Sequence, residues 1–496
     1  MSETRSHRGA IWPPAPTVQP CVPLPAQRLR HAGRGPCGLP EVALRSLLVS
    51  RLTPVVGAER VAAAERELEA LRSRLDGRQV WHISDSAARG GVAETLREEL
   101  PYFRGAGIAM RWATLDAPPA FRRFTKALYY RLCGVRTDGS QPEPDGDRDR
   151  DRDRPLYERV CREAAERFVA GVGRGGIAVV HDHQAAGLIP QLREAGFTVL
   201  WRAHIGAPSP PQQADPAWEF LYRYVADAHG CIASYPGALP LPLPLSMSQP
   251  QPPPLPRGLP QPGRPHIVRP SINPLAAKNI PLRAPADRVL EAVGPLPPRT
   301  PLVTQVGRWD AVKDVPGVIR AFADHVDPAF GAHLLLVGPS TEGDPHAGEV
   351  FAQCRRARSG LGRLRARVRV LRLPVADSRE HALTVNAIQR CSALVIQKSL
   401  AEGFGLTVSE AAWKGRAVIA SPVGGLRQQV EHGRSGLLLT GPHDLAGLGA
   451  AVNRLLADPA HAAELGRNGH EHVRRHFLID IGLRDFARVL TRTLPC

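Results

Sequence analysis

The chain sets out the same alternation twice: a short apolar run of strand length, a turn, then an amphipathic stretch of helix length. In the first half the runs are RQVWHIS (78–84), GIAVVHDH (176–183), FTVLWRAHI (197–205) and AHGCIAS (228–234). In the second they are PLVTQVGRWD (301–310), AHLLLVGPS (332–340), RVRVLRLP (367–374), SALVIQKS (392–399) and RAVIASPVGG (416–425). Buried strands alternating with helices make open parallel sheets. With 496 residues the chain is too long for one core. The pattern predicts an α/β protein of two Rossmann-like, doubly wound parallel-sheet domains in series. Ligands in such sheets sit at the carboxyl ends of the strands, which between two such domains means the cleft.

Composition sets the boundaries. Residues 1–42 are rich in Pro, Arg and Gly and read as a disordered tail. The first domain is expected over 43–268, with a charged loop at 138–155 (containing DGDRDRDRDRP) and a Pro-rich insertion at 236–265 that cannot enter a sheet interior. The second domain is expected over 269–480. The final segment, 481–496, ends the amphipathic run FLIDIGLRDFARVLTRTL and is expected to pack back toward the first domain.

A formal net charge of +17 raises nucleic acid as a partner. The excess is 59 arginines against five lysines, spread along the whole chain with no basic, aromatic-rich module. Nucleic-acid binding is therefore not expected. No run approaches the roughly 20 apolar residues of a membrane span, and the first residues lack a secretory apolar core. The eight cysteines are scattered without a CxxC pair, so neither disulfides nor a zinc site is expected, and the location expected is the cytoplasm. The five lysines are Lys126, Lys278, Lys313, Lys398 and Lys414. In a chain that spells cation as Arg, they mark candidate places for a compact ammonium.

The notable polar residues follow predicted strands. Gly90 and Gly91 open a helix after the first strand, a backbone N–H site for an anion or a plain tight turn. VGRWDAVKD places Arg308 and Lys313 after the first strand of the second half, where two cations suit a diphosphate or an ordinary ion pair with Asp310 or Asp314. LAEGFGLTVSEAAWKG (400–415) adds Glu402 in a Gly-Phe-Gly turn (Gly403, Phe404, Gly405), then the N–H groups of Leu406 and Thr407 at a helix start. Glycines let backbone approach a ligand. Glu402 suits sugar hydroxyls, and Glu410, two turns into the helix, suits a ribose diol. His181 and His183 alternate at a strand end, but two such residues do not make a metal site alone.

Glu402 and Glu410 have the E-x7-E spacing of retaining glycosyltransferases of the GT-B fold, and Arg308 with Lys313 resembles their donor-phosphate pair. The closer resemblance is to the trehalose glycosyl-transferring synthases. It is carried by GGVAETLREELPYFRGAGIAMRW, WRAHI, PSINPLAAKN, GRWDAVKDVPGVI, the long block LTVNAIQRC…VIASPVGG, and HGRSGLLL, over about 78–480. The resemblance implies a retaining hexosyltransferase joining NDP-glucose to glucose, with no cofactor and no obligatory metal. The related alternatives are a GT-B enzyme with another acceptor, a retaining trehalose phosphorylase, and a non-catalytic sugar-nucleotide-binding regulator. It further implies His204 beside the transferred glucose, Asp182 near the acceptor sugar, Gly90 and Gly91 facing the donor phosphates, and backbone near Leu373 and Pro374 holding the base. The partners implied are NDP-glucose and a sugar acceptor, with no membrane; a homodimer is left open. Three positions depart from the family pattern: Arg89 stands where it has Gly, His183 where it has Pro, and Gly206 where it has Asp.

Overall fold

The computed structural model describes residues 31–34, 36–88, 90–135, 148–206, 216–239 and 265–494. Arg89, the charged loop before residue 148 and the Pro-rich insertion from 240 to 264 lie outside the described residues. The chain forms two compact units. Of the described residues, one contains those up to Asn273, the short piece Ala401–Phe404 and those from Phe477; the other contains Pro274–Leu400 and Gly405–His476.

The sheet of the first unit has eight strands: β1 (His31–Arg34), β2 (Pro40–Val42), β3 (Val80–Ser84), β4 (Met110–Thr114), β5 (Gly176–His181), β6 (Phe197–Ala203), β7 (Gly230–Ala233) and β8 (His266–Ile267). Their order is β1-β2-β4-β3-β5-β6-β7-β8, parallel from β4 to β8. β1 pairs with β2, and β2 with β4, antiparallel. The order reverses between β3 and β5, which is where a doubly wound sheet opens a crevice at its strand ends.

The boundaries differ from the sequence expectation: the second unit runs from Pro274 to His476 and lacks Ala401–Phe404, where 269–480 was expected. The tail does not run to residue 42, because β1 and β2 are strands. Cys37, Leu39 and Val42 are buried, and Glu41 holds Arg111 of β4 through two hydrogen bonds of 2.5 and 2.8 Å. Composition hides so short an apolar segment. From Arg148 the charged run is the start of the helix Arg148–Val172, where a loop to residue 155 was expected. Tyr157, Cys161, Ala164, Ala165 and Phe168 bury one face of that helix. Once the face is anchored, adding polar residues at the end costs little, because helix propagation is far cheaper than nucleation.

The helix Ile479–Thr493 belongs to this unit. Ile272 N–H donates to Phe477 O at 2.8 Å, and Ile479 N–H returns to Ile272 O at 3.0 Å. Along the helix Ala58–Leu75, Arg60 forks onto Asp480 at 2.8 and 2.7 Å and Glu67 accepts from Arg488. Phe486 packs edge-on to Phe103 and under the Arg202 guanidinium, 4.9 Å from its centroid. Arg202 and Glu99 are a fully buried pair at 2.8 and 3.2 Å.

The second unit has a six-stranded parallel sheet: β9 (Leu302–Val306), β10 (His333–Pro339), β11 (Val368–Leu373), β12 (Leu394–Gln397), β13 (Ala417–Ala420) and β14 (Leu437–Leu438). Its order, β11-β10-β9-β12-β13-β14, is the 3-2-1-4-5-6 order of the dinucleotide-binding folds. The reversal falls between β9 and β12, whose outgoing loops carry Arg308–Lys313 and Lys398–Leu400.

Removing one partner of the Glu99–Arg202 pair strands a buried charge. Glu99→Ala is expected to cost about 3–5 kcal/mol in urea unfolding, and the double change Glu99→Leu with Arg202→Met to recover most of that loss.

Candidate active site

After β9 the chain must turn away from the sheet, and polar side chains fix how. Asp310 is buried and caps the one-turn helix Ala311–Lys313 by accepting from Val312 N–H at 3.4 Å. Arg308 stands half exposed with a terminal nitrogen 3.5 Å from Asp310 Oδ2. Gln305 Nε2 donates to Lys313 O at 2.9 Å, while Gln305 Oε1 accepts from Lys398 N–H at 3.1 Å. Leu400 N–H donates to Val312 O at 2.7 Å. The buried Lys398 ammonium pairs with Asp314, whose backbone takes a left-handed φ of 40° and caps the next helix through Gly317 N–H. Burial pulls the Lys398 pKa down to about 8. The loop bearing both cations is thus tied to the end of the neighbouring strand, and two cations of a held loop can meet an anion with little reorganisation.

Beyond β12, Gly405 has φ 88° and ψ 60°, a left-handed conformation that starts the helix Leu406–Trp413. Leu406 and Thr407 are therefore its first two residues, as expected. Glu410 is the fifth, just over one turn in and not two. It is buried, with Lys278 Nζ 3.4 Å from Oε1. Lys414, fully buried, donates to Glu410 O at 2.9 Å and to Asn279 Oδ1 at 3.3 Å, and burial holds its pKa well below the usual lysine value. Leu373 ends the edge strand β11, with its carbonyl accepting from Ser340 N–H at 2.9 Å.

The remaining candidates lie in the other unit. Gly90 precedes the helix Gly91–Gly105 with φ 96°, and a side-chain carbon built at either glycine would meet nothing within 4 Å. That leaves open space at a helix N-terminus, where N–H groups favour an anion. Asp182 follows β5 at φ 58° and accepts from His204 N–H at 2.6 Å, so one oxygen fixes the turn after β6. Ala401–Phe404 meets that turn backbone to backbone. A Cβ on Gly403 would stand 1.9 Å from His204 O, and one on Gly206 would stand 2.4 Å from Glu402 O. Phe404 is buried edge-on against Phe477 at 5.6 Å. The candidates therefore gather in two sets, with Asp182, His204, Glu402 and Gly403 in direct contact in one. Arg308, Lys313, Gly405 to Thr407, Glu410 and Leu373 belong to the other unit.

His82, which the sequence reading did not single out, and residues it named without a site role lie around both sets. His82 Nδ1 lies 3.0 Å from His181 Nε2, and His181 Nδ1 lies 3.0 Å from His204 Nε2. Lys278, Lys398 and Lys414 all hold carboxylates, carbonyls or amides, and the scarcity of lysine was the only signal for them. His183 turns away from His181: its Nε2 meets Thr125 O at 2.9 Å and its ring stacks on Tyr129. That departure from the family pattern is a core residue, and Gly206 is a close-packing glycine. Among the described residues no cluster of three or more His, Cys, Asp or Glu is arranged to hold a metal, and no helix is long and apolar enough to cross a membrane.

Two sheets of this topology with strand-end loops of this kind are the GT-B glycosyltransferase architecture. An α,α-trehalose-phosphate synthase (UDP-forming) from Burkholderia vietnamiensis superposes with TM-score 0.62 at 17% identity, over 83% of this chain and 96% of its own. Residues 82–239 match the family described as Trehalose synthase, N-terminal domain, and residues 288–472 match Glycosyl transferases group 1. A trehalose synthase from Rubrobacter xylanophilus is 32% identical over 432 residues, 86% of this chain and 94% of its own. One from Pyrococcus horikoshii is 31% identical over 437 residues, 88% and 94% respectively. The chain is a hexosyltransferase and belongs to the trehalose synthase family.

Two outcomes follow from the geometry. Gly206→Ala forces the two backbones apart and is expected to cost about 1–3 kcal/mol together with most of the activity, read by thermal unfolding and turnover. Burial lowers the pKa of His82 and of His183 to about 3. Between that value and the ordinary 6.5 the unfolded chain binds the extra protons, so stability falls as pH falls through this window. Urea midpoints from pH 7 to 4.5 should decline, and the slope should flatten in His183→Leu.

Proposed function

We propose that the protein transfers glucose from an NDP-glucose to glucose with retention, forming α,α-trehalose. The observation that carries the reading is the loop after β9, in which Arg308 and Lys313 are tied through Gln305 and Lys398 to the adjacent strand at the switch point of the sheet. Membership of the trehalose synthase family supplies the sugar.

In this mechanism the bond between the anomeric carbon and the diphosphate oxygen breaks as the acceptor's 1-hydroxyl attacks the same face, and the hydroxyl proton passes to the departing phosphate oxygen. Arg308 and Lys313 stabilise the negative charge that grows on the leaving group. The N–H groups of Leu406 and Thr407 add helix-end stabilisation. Glu402 accepts from hydroxyls of the transferred glucose, Glu410 from the ribose diol, His204 lies beside the glucose, and Asp182 faces the acceptor. Gly90 and Gly91 leave the donor phosphates room, and backbone near Leu373 receives the base. No step calls for a metal or a cofactor.

The test is an NMR product assay with purified protein, glucose, and ADP-, UDP- or GDP-glucose in turn, without added phosphate. The expected product is the α,α-1,1-linked disaccharide. A product that forms only from glucose 1-phosphate would indicate a phosphorylase, and donor hydrolysis alone would indicate another acceptor. Lys313→Ala should lower turnover about 10²-fold, on the scale of one lost charge-stabilising donor. Glu402→Ala should abolish transfer while nucleoside diphosphate still binds in calorimetry.

A further inference from the structure

Three imidazoles form a hydrogen-bonded row across the switch point of the first sheet. In the parallel register His82 of β3 lies opposite Val179, so His181, two residues on, shares its face. His181 lies opposite Arg202 of β6, so His204 again shares that face. The contacts are His82 Nδ1 to His181 Nε2 and His181 Nδ1 to His204 Nε2, both 3.0 Å, with the rings stacked at centroid distances of 5.2 and 5.3 Å. His82 and His181 are fully buried, and His204 is partly exposed.

A neutral imidazole carries one N–H and one bare nitrogen. His181 uses both, so it donates to one neighbour and accepts from the other, and all three rings must point the same way. Either every ring is protonated at Nδ1, or every ring is protonated at Nε2. The buried end separates the two cases. Among the described residues His82 Nε2 is buried without a hydrogen-bond partner, and the neighbouring ring is Phe486 at 5.7 Å. Protonation at Nε2 would leave an N–H orphaned in the core, which native structures avoid more strictly than a bare acceptor. Protonation at Nδ1 leaves only a lone pair there. Neutrality is secured by burial and by the Arg202 charge, both of which hold the three pKa values low.

We propose that His82 and His181 are positioning residues that set His204 in its Nδ1–H tautomer, so that His204 meets the sugar as a hydrogen-bond donor and not as a base. His204 Nε2 is occupied by the His181 N–H, which leaves Nδ1–H as the group it can offer. Among the described residues the row ends at a buried nitrogen with no partner beyond it, so it orients and does not conduct protons. What His204 touches rests on the trehalose-forming reading; the tautomer does not.

The test is two-bond ¹H–¹⁵N correlation on the full-length protein, labelled at histidine, at pH 7 without substrate. The expected result is the Nδ1–H pattern for the three rings, assigned by single substitution. An Nε2–H pattern at His204, or a mixture of tautomers, would overturn the proposal. His82→Asn places an amide N–H where Nδ1 stood and should keep His204 in the Nδ1–H form, whereas His82→Phe should release it to a mixture. If His82→Phe does not fold, the wild-type spectrum still decides. In turnover, His82→Phe should lower kcat about tenfold with little change in KM, and His82→Asn should restore it to within about threefold. An unchanged His204 spectrum in a folded His82→Phe would also overturn the assignment. Absence of trehalose synthesis alongside the expected spectra would count against the functional reading only.

Discussion

The contact between His204 and Gly403 sets the terms for the candidate site. A carbonyl and a glycine Cα meet there with no room for a side chain, and two residues on, Gly206 meets Glu402 O in the same way. Backbone packing this close carries almost no side-chain entropy and tolerates almost no change of volume. It fixes Glu402 beside the turn that bears His204. Asp182, held at a left-handed φ, locks that turn from the other side through His204 N–H. Even a methyl group at either glycine must open this contact.

Buried charge is handled differently in the two units. In the first, Arg202 and Glu99 neutralise each other beneath Phe486 of the last helix. That helix thereby closes the core over the face that carries the histidine row. In the second, cations hold the loop after β9 and the helix after β12: Lys398 on Asp314, Lys278 on Glu410, Lys414 on Glu410 O and Asn279. An ammonium can sit between several oxygens in a narrow space that a planar guanidinium would not fill. This gives three of the chain's five lysines a physical reason in a sequence that otherwise uses arginine.

The departures from the family pattern become local matters of packing. His183 belongs to a core patch with Thr125 and Tyr129, and Gly206 is the residue that the Glu402 contact demands. Neither supplies a group to the candidate site. Their positions in space describe how two surfaces were fitted together.

The sequence by itself determined the parallel core of each sheet, because doubly buried strands must be written as aliphatic runs and the helices between them as amphipathic ones. It also located the candidate residues, since function in such sheets collects at strand ends that are visible as the last apolar residue of each run. Short elements escaped it: β1, β2, β4, β8, β14 and the start of the helix at Arg148 owe their structure to partners distant in the chain. Glu402 and Glu410 are eight residues apart and look like one motif, yet they pack in different units. Only the tertiary structure could decide that, and only it could decide that His82, His181 and His204 share hydrogen bonds. Register between strands is set by the packing of a whole face, and no local pattern around any one histidine records which nitrogen its neighbour will meet.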